Sequence, residues 1–155
     1  SLTMLMLLFQ LGDSRYAIPA REVVEVTPRV RLEPLASTPD YVAGLLNYRG
    51  EHVPVIDLCQ LINNERCRNS LTTRIILVPF SGANGATGTL GLLAEAVTET
   101  LRIEESAFAD TGVTVDTAPY LGRAAHSSQG MVRSINVADL LPHQLRAQLF
   151  ASAVH

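Results

Sequence analysis

The chain contains no lysine and no tryptophan, and only two of its 155 residues are cysteine. Each shortage removes a class of chemistry. Without lysine there is no Schiff-base nucleophile and no P-loop cation for a phosphate. Cys59 and Cys67, with seven residues between them, fall short of the density of a secreted disulfide scaffold. They are expected to be reduced thiols in a cytosolic protein. Aromatics make up 5% of the chain, so the core must be built from Val, Leu, Ile and Ala. The apolar runs are too short to span a membrane, and the opening "SLTMLMLLFQLG" lacks the basic flank and cleavage site of a signal peptide. All 12 basic residues are Arg, and 15 acids leave a net charge of −3. Nothing resembles a basic patch interleaved with aromatics, which argues against a nucleic-acid partner.

What is present is a large apolar fraction, 47% hydrophobic against 17% charged, enough for one compact domain or two small subdomains. Ser1-Leu2-Thr3 reads as an addition ahead of a native Met4, which predicts one free-standing domain over residues 4–155. Strand patterns dominate. Residues 5–11 form an apolar run, Gly12-Asp13-Ser14-Arg15 reads as a hairpin turn, and residues 16–19 and 23–26 resume the apolar pattern. Residues 29–32 alternate polar and apolar like a half-buried strand. Ser37-Thr38-Pro39-Asp40 has the form of a helix start. Asp57 is placed to cap a short helix through Leu58, Leu61 and Ile62. Residues 63–73 read as a loop, 74–80 as a buried strand, 81–88 as a Gly-rich hairpin loop and 89–97 as the returning strand. One or two helical turns are expected over 104–109, loop or short strand over 113–117, and a last helix over 143–153 with Leu145, Leu149 and Val154 as its apolar stripe.

Residues 41–62 ("YVAGLLNYRGEHVPVIDLCQLI") are echoed by 120–141 ("YLGRAAHSSQGMVRSINVADLL"). The matched positions include Tyr41/Tyr120, Val53/Val132, Ile56/Ile135 and Asp57/Asn136. A weaker echo pairs Ile18 with Leu92 and Val23 with Val97. The expected architecture is therefore mostly β, two small barrels related by a pseudo-repeat, with approximate subdomains 16–75 and 76–140 and terminal segments crossing between them. Ile18, Val24, Leu45, Val53, Val55, Leu77, Leu92, Val132 and Ile135 are expected in the core.

Catalytic constellations are not found. Gly82, Gly85, Gly88 and Gly91 precede a strand and not a helix, so they do not form a phosphate cradle. The four histidines have no metal-ligand spacing, and His126-Ser127-Ser128 lacks a nucleophile elbow. Glu104 and Glu105 are adjacent and point apart, a poor geometry for paired acid–base work. No catalytic residue, cofactor or metal is expected. What stands out is "NYRG" at 47–50, an arginine at the tip of a turn inside the most apolar part of the chain. Gly50 supplies the positive-φ position and Pro54 stiffens the exit. If Glu25 lies on a neighbouring strand, its carboxylate can hold the Arg49 guanidinium as a bidentate pair.

These residues resemble the CheW family, the adaptors of bacterial chemosensory arrays. The resemblance rests on "YAIP" at 16–19, "VVEV" at 23–26, "PDYVAG" at 39–44, "NYRG" at 47–50 and "VPVIDL" at 53–58, and more loosely on 74–78, 91–97 and 131–141. It implies two SH3-like five-stranded barrels and a non-catalytic, cytoplasmic adaptor at membrane-bound receptor arrays. The partners it implies are a chemoreceptor cytoplasmic tip and the regulatory domain of a CheA-type histidine kinase, with no nucleic acid and no membrane insertion. By resemblance, Val23, Glu25, Asn47 and Arg49 fall on partner-binding positions, while Gly44, Gly50, Pro54 and Asp57 shape the turn. Tyr48 stands where the family often has Leu, and Asn136 where it typically has Asp. Two alternatives remain: a CheW-like regulatory domain of a larger kinase or receiver-linked adaptor, and a small-ligand-binding β-barrel.

Overall fold

A computed structural model describes residues 2–81, 87–109 and 118–151. The protein is mostly β. Strand β1 (Thr3–Leu11) turns at Gly12-Asp13 into β2 (Ser14–Pro19), with Leu11 opposite Ser14. A 3₁₀ turn (Ala20–Glu22) leads to β3 (Glu25–Pro28). Strands β4 (Val42–Tyr48) and β5 (Glu51–Asp57) form a hairpin that runs into helix α1 (Leu58–Asn63). Then come β6 (Arg74–Ser81), the long β7 (Thr87–Glu104), a short β8 (Phe108–Ala109), β9 (Leu121–Ser127), β10 (Gly130–Ile135) and helix α2 (His143–Ala151).

The apolar run of β1 does not alternate because the strand is covered on both faces. Successive strand side chains point to opposite sides. Leu7, Phe9 and Leu11 enter the larger core, while Met6 and Leu8 enter a smaller one with Ile103, Phe108, Ala125 and Val132. β2 divides its residues in the same way, Tyr16 and Ile18 to the larger core and Ala17 to the smaller. β7 spans both groups of strands. Its first half pairs with β6 and, in parallel, with β5, and its second half pairs with β1. The change of partner coincides with a register shift and with Ala96 at φ 50°.

Strand pairing does not divide at residue 75. β2 pairs with β1 and β10, on the side of β9 and β8, whereas β6 pairs with β3 on the side of β4 and β5. The internal echo is visible in the backbone. Asp57 N–H donates to Tyr41 C=O at 2.7 Å, and its counterpart Asn136 N–H donates to Tyr120 C=O at 2.7 Å. Val42 faces Ile56 as Leu121 faces Ile135, and both hairpins carry a register shift nearby.

Three expectations are corrected. Residues 29–32 are not a strand: Pro28 ends β3, Pro34 follows, and the next residue, Glu33, makes only an isolated bridge to Leu45. The residues at 37–40 start no helix; Ser37 has φ 61° and Val42 N–H closes a turn onto Pro39 C=O. Val24 is exposed (55%) and Leu45 only half-buried, while the other seven residues expected in the core are buried. Val24 lies just ahead of β3, an edge strand that pairs only with β6 among the described residues. The expected loop at 113–117, most of the Gly-rich loop, and Val154 of the final apolar stripe lie outside the described residues. The remainder of that stripe, Leu145 and Leu149, is buried with Phe150, whose ring stacks on Phe80 at 5.3 Å.

Candidate functional site

The arginine turn is a two-residue hairpin loop. Tyr48 faces Glu51, and the loop residues Arg49 and Gly50 both have positive φ, 50° and 85°. Such a pair of left-handed residues matches the right-handed twist of the strands it joins. Glycine adopts this geometry freely, whereas arginine does so at a cost of about 1 kcal/mol. The loop thus spends backbone energy to put a cation at its tip.

Two further positions keep the hairpin in place. Gly44 has φ 144°, and a Cβ there would meet Glu33 C=O at 2.6 Å, so only glycine lets the 33–45 bridge close. Leu45 gives both its backbone groups to Glu33, at 2.7 and 2.9 Å. The facing Pro54 therefore needs no N–H toward β4, and the parallel ladder to β7 begins one residue later, at Val55. At the far end of β5, buried Asp57 caps α1. Its Oδ1 accepts Gln60 N–H at 3.0 Å and its Oδ2 accepts Cys67 N–H at 3.1 Å.

At the tip, Arg49 Nη2 lies 3.6 Å from Glu25 Oε1, with the two side chains 74% and 38% exposed. The guanidinium carbon sits 5.1 Å from the Tyr48 ring centroid, a cation–π distance. The Tyr48 hydroxyl hydrogen-bonds the Glu25 carboxylate, and this, ahead of burial and the nearby Glu25 and Glu51 charges, raises its pKa above the ordinary tyrosine value despite Arg49. The contact between Glu25 and Arg49 is a single one at 3.6 Å and not the two-pronged pair expected from sequence.

Of the site residues read from the sequence, Glu25 and Arg49 meet. Asn47 is exposed on the same hairpin, opposite His52. Val23 is half-buried, packed on the larger core, and closes the 3₁₀ turn through its N–H to Ala20 C=O. The exposed apolar side chain of the segment is its neighbour Val24. Sequence reasoning missed Tyr48, whose signal was a phenol directly before the Arg-Gly pair. Beside the tip, an open groove of about 650 Å³ runs between Glu51–Pro54, Leu35 and Leu149–Phe150 of α2.

The chain belongs to the CheW-like domain family, whose pattern matches residues 5–145. Among curated relatives it is 34% identical over 95 residues to the protein FrzA of Myxococcus xanthus, covering 61% of this chain and 56% of that one. It is 28% identical over 98 residues to the chemotaxis protein CheW of Helicobacter pylori, covering 63% and 56%. The chain thus spans little more than half the length of these relatives. The crystal structure of the scaffolding protein TtCheW from Thermoanaerobacter tengcongensis superposes with a TM-score of 0.79 at 28% identity, over 92% of this chain and 90% of that one.

Proposed function

We propose that this chain is a non-catalytic adaptor that couples chemoreceptor cytoplasmic tips to the regulatory domain of a CheA-type histidine kinase, in the cytoplasm at membrane-bound receptor arrays. The observation that carries this reading is the tip cluster. Exposed Arg49 and half-buried Tyr48, on a hairpin shaped by Gly44, Gly50 and Pro54, meet half-buried Glu25 at the start of β3. A rigid tip presenting a partly satisfied arginine and a phenol beside an apolar Val24 has the composition of a protein-binding hot spot. Asn47 and Val23 flank it, one exposed beside the tip and the other supporting the strand from behind.

We assign the strands to two SH3-like barrels. One comprises β3, β4, β5, β6 and the first half of β7 around the larger core. The other comprises β1, β2, β8, β9, β10 and the second half of β7 around the smaller core, with β1 and β2 contributing to both cores. The absence of a helix long and apolar enough to cross a membrane among the described residues is compatible with attachment through receptors. The test is binding of the protein to a kinase regulatory domain and to a receptor-tip fragment, measured separately by titration calorimetry. Saturable 1:1 binding to each supports the adaptor reading, and binding to neither overturns it.

A further inference from the structure

Cys59, in the first turn of α1, and Cys67, in the connection 64–73, are both free and buried, and their sulfurs touch at 2.7 Å. The connection is otherwise largely exposed: Glu65, Arg66, Asn69, Ser70 and Leu71 all face solvent. It is pinned inward around Cys67. Cys67 N–H donates to Asp57, Arg68 donates backbone and guanidinium N–H groups to Glu95, and Thr73 Oγ1–H donates to Arg68 C=O at 2.6 Å. Two buried carboxylates thus hold an exposed loop so that one thiol meets another.

Asp57, Cys59 and Cys67 bring a carboxylate and two sulfurs within 4.8 Å of one another, but the arrangement suits a metal poorly. Both Asp57 oxygens already accept backbone N–H groups. Two thiolates on a tetrahedral zinc stand about 3.8 Å apart, farther than the sulfurs here. A neutral sulfur–sulfur bond suits the same site.

We propose that Cys59 and Cys67 are a reversible redox pair that closes to an intrachain disulfide, tying the 64–73 connection to α1. The oxidant is a low-molecular-weight disulfide. One cysteine thiolate attacks a sulfur of that disulfide, forming a mixed disulfide and expelling one small thiolate. The second cysteine then attacks the protein sulfur and expels the other. Two protein S–H bonds are lost, one S–S bond forms, and the small disulfide is reduced to two thiols that take up both protons. Because both sulfurs are buried, attack requires opening of the pinned connection, so exchange is slow while the folded state favours the closed product. Transient disulfides of this type are compatible with a reducing compartment. The disulfide would lie at the end of β5 remote from the arginine turn.

The test equilibrates the folded protein in glutathione buffers of graded oxidised-to-reduced ratio, approached from both the reduced and the oxidised sides, and reads intact mass and free thiols after acid quench. The same titration is run on the chain unfolded in denaturant, and on Cys59→Ser as a control for glutathione adducts. The expected result is a monomer lighter by about 2 Da with no adduct, half-formed at a ratio lower than that of the unfolded chain by about tenfold or more. Half-formation at an equal or higher ratio than in the unfolded chain, or an endpoint of two thiols or of glutathione adducts, overturns the proposal.

Discussion

Arg68 and Glu95, 27 positions apart in sequence, meet through both oxygens of the carboxylate: the guanidinium reaches Oε1 at 3.2 Å and the Arg68 backbone N–H donates to Oε2. Gly12 N–H adds a longer contact at 3.4 Å. Burial alone would raise the Glu95 pKa, but these donors outweigh it and hold the carboxyl below the ordinary glutamate value. A folded-state pKa below the unfolded one gives stability that is complete above the unfolded value, about 4.3, and is lost as pH falls through the folded value. Melting temperature is therefore expected to fall with acidification in that window. Glu95→Gln is expected to melt lower at neutral pH and to lose part of that slope, which thermal melts between neutral and acid pH would read.

The pseudo-repeat makes Asp57 and Asn136 a natural comparison. Asp57 is buried and bonds two backbone N–H groups, whereas Asn136 precedes its 3₁₀ turn without a side-chain cap. Asp57→Ala removes a cap and strands the buried Cys67 N–H, at a cost of about 2–3 kcal/mol. Asn136→Ala is expected to cost under about 1 kcal/mol. Urea titrations of the two variants check the ranking, and equal losses would contradict the asymmetry.

Gly44 and Gly50 differ in the same instructive way. A Cβ at Gly44 strikes the Glu33 carbonyl, whereas one at Gly50 meets nothing within 4 Å. Gly50→Ala therefore costs only the left-handed backbone term, about 1 kcal/mol. Gly44→Ala must also open the bridge to Glu33 and is expected to cost about 2–4 kcal/mol. Equilibrium unfolding of both variants would show whether the bridge matters as much as the turn.

Legibility in the sequence followed the range of the determining interactions. The Asp57 cap, the Arg49-Gly50 turn and the buried strand at β6 depend on neighbours in sequence, and all were readable from local pattern. The echo between residues 41–62 and 120–141 carried the pairing logic of both hairpins. Residues 29–32 misled because alternation says nothing about whether a partner strand is available; proline at 28 and 34 removes donors at both ends. Val24 misled because a β-branched run looks alike within a strand and just ahead of one. The placement of β2 beside β10, the Glu95 clamp and the contact between Cys59 and Cys67 are long-range or loop-borne, and no periodicity announces them. In the site, Glu25 and Arg49 were paired in advance by charge, but the Tyr48 hydroxyl that bonds the same carboxylate was not.

Under the proposed function, the Arg49 side chain serves partner binding and not the stability of the fold. Its backbone sits at φ 50°, so Arg49→Gly removes the side chain while relieving the left-handed conformation. Melting temperature is expected to stay at or above that of the wild type. Arg49→Lys keeps the charge but not the planar fork, and Glu25→Ala frees the guanidinium from its tether. The deciding measurement is titration calorimetry of wild type, Arg49→Gly, Arg49→Lys and Glu25→Ala against a CheA-type regulatory domain and a receptor-tip fragment, with melts run in parallel. The account predicts intact folding and affinity for at least one partner weakened about thirtyfold or more by Arg49→Gly, the loss of a hot spot worth about 2 kcal/mol, with no rescue by lysine. Unchanged affinity for both partners in all three variants, with melts intact, would contradict it and leave Arg49 a solvated turn residue.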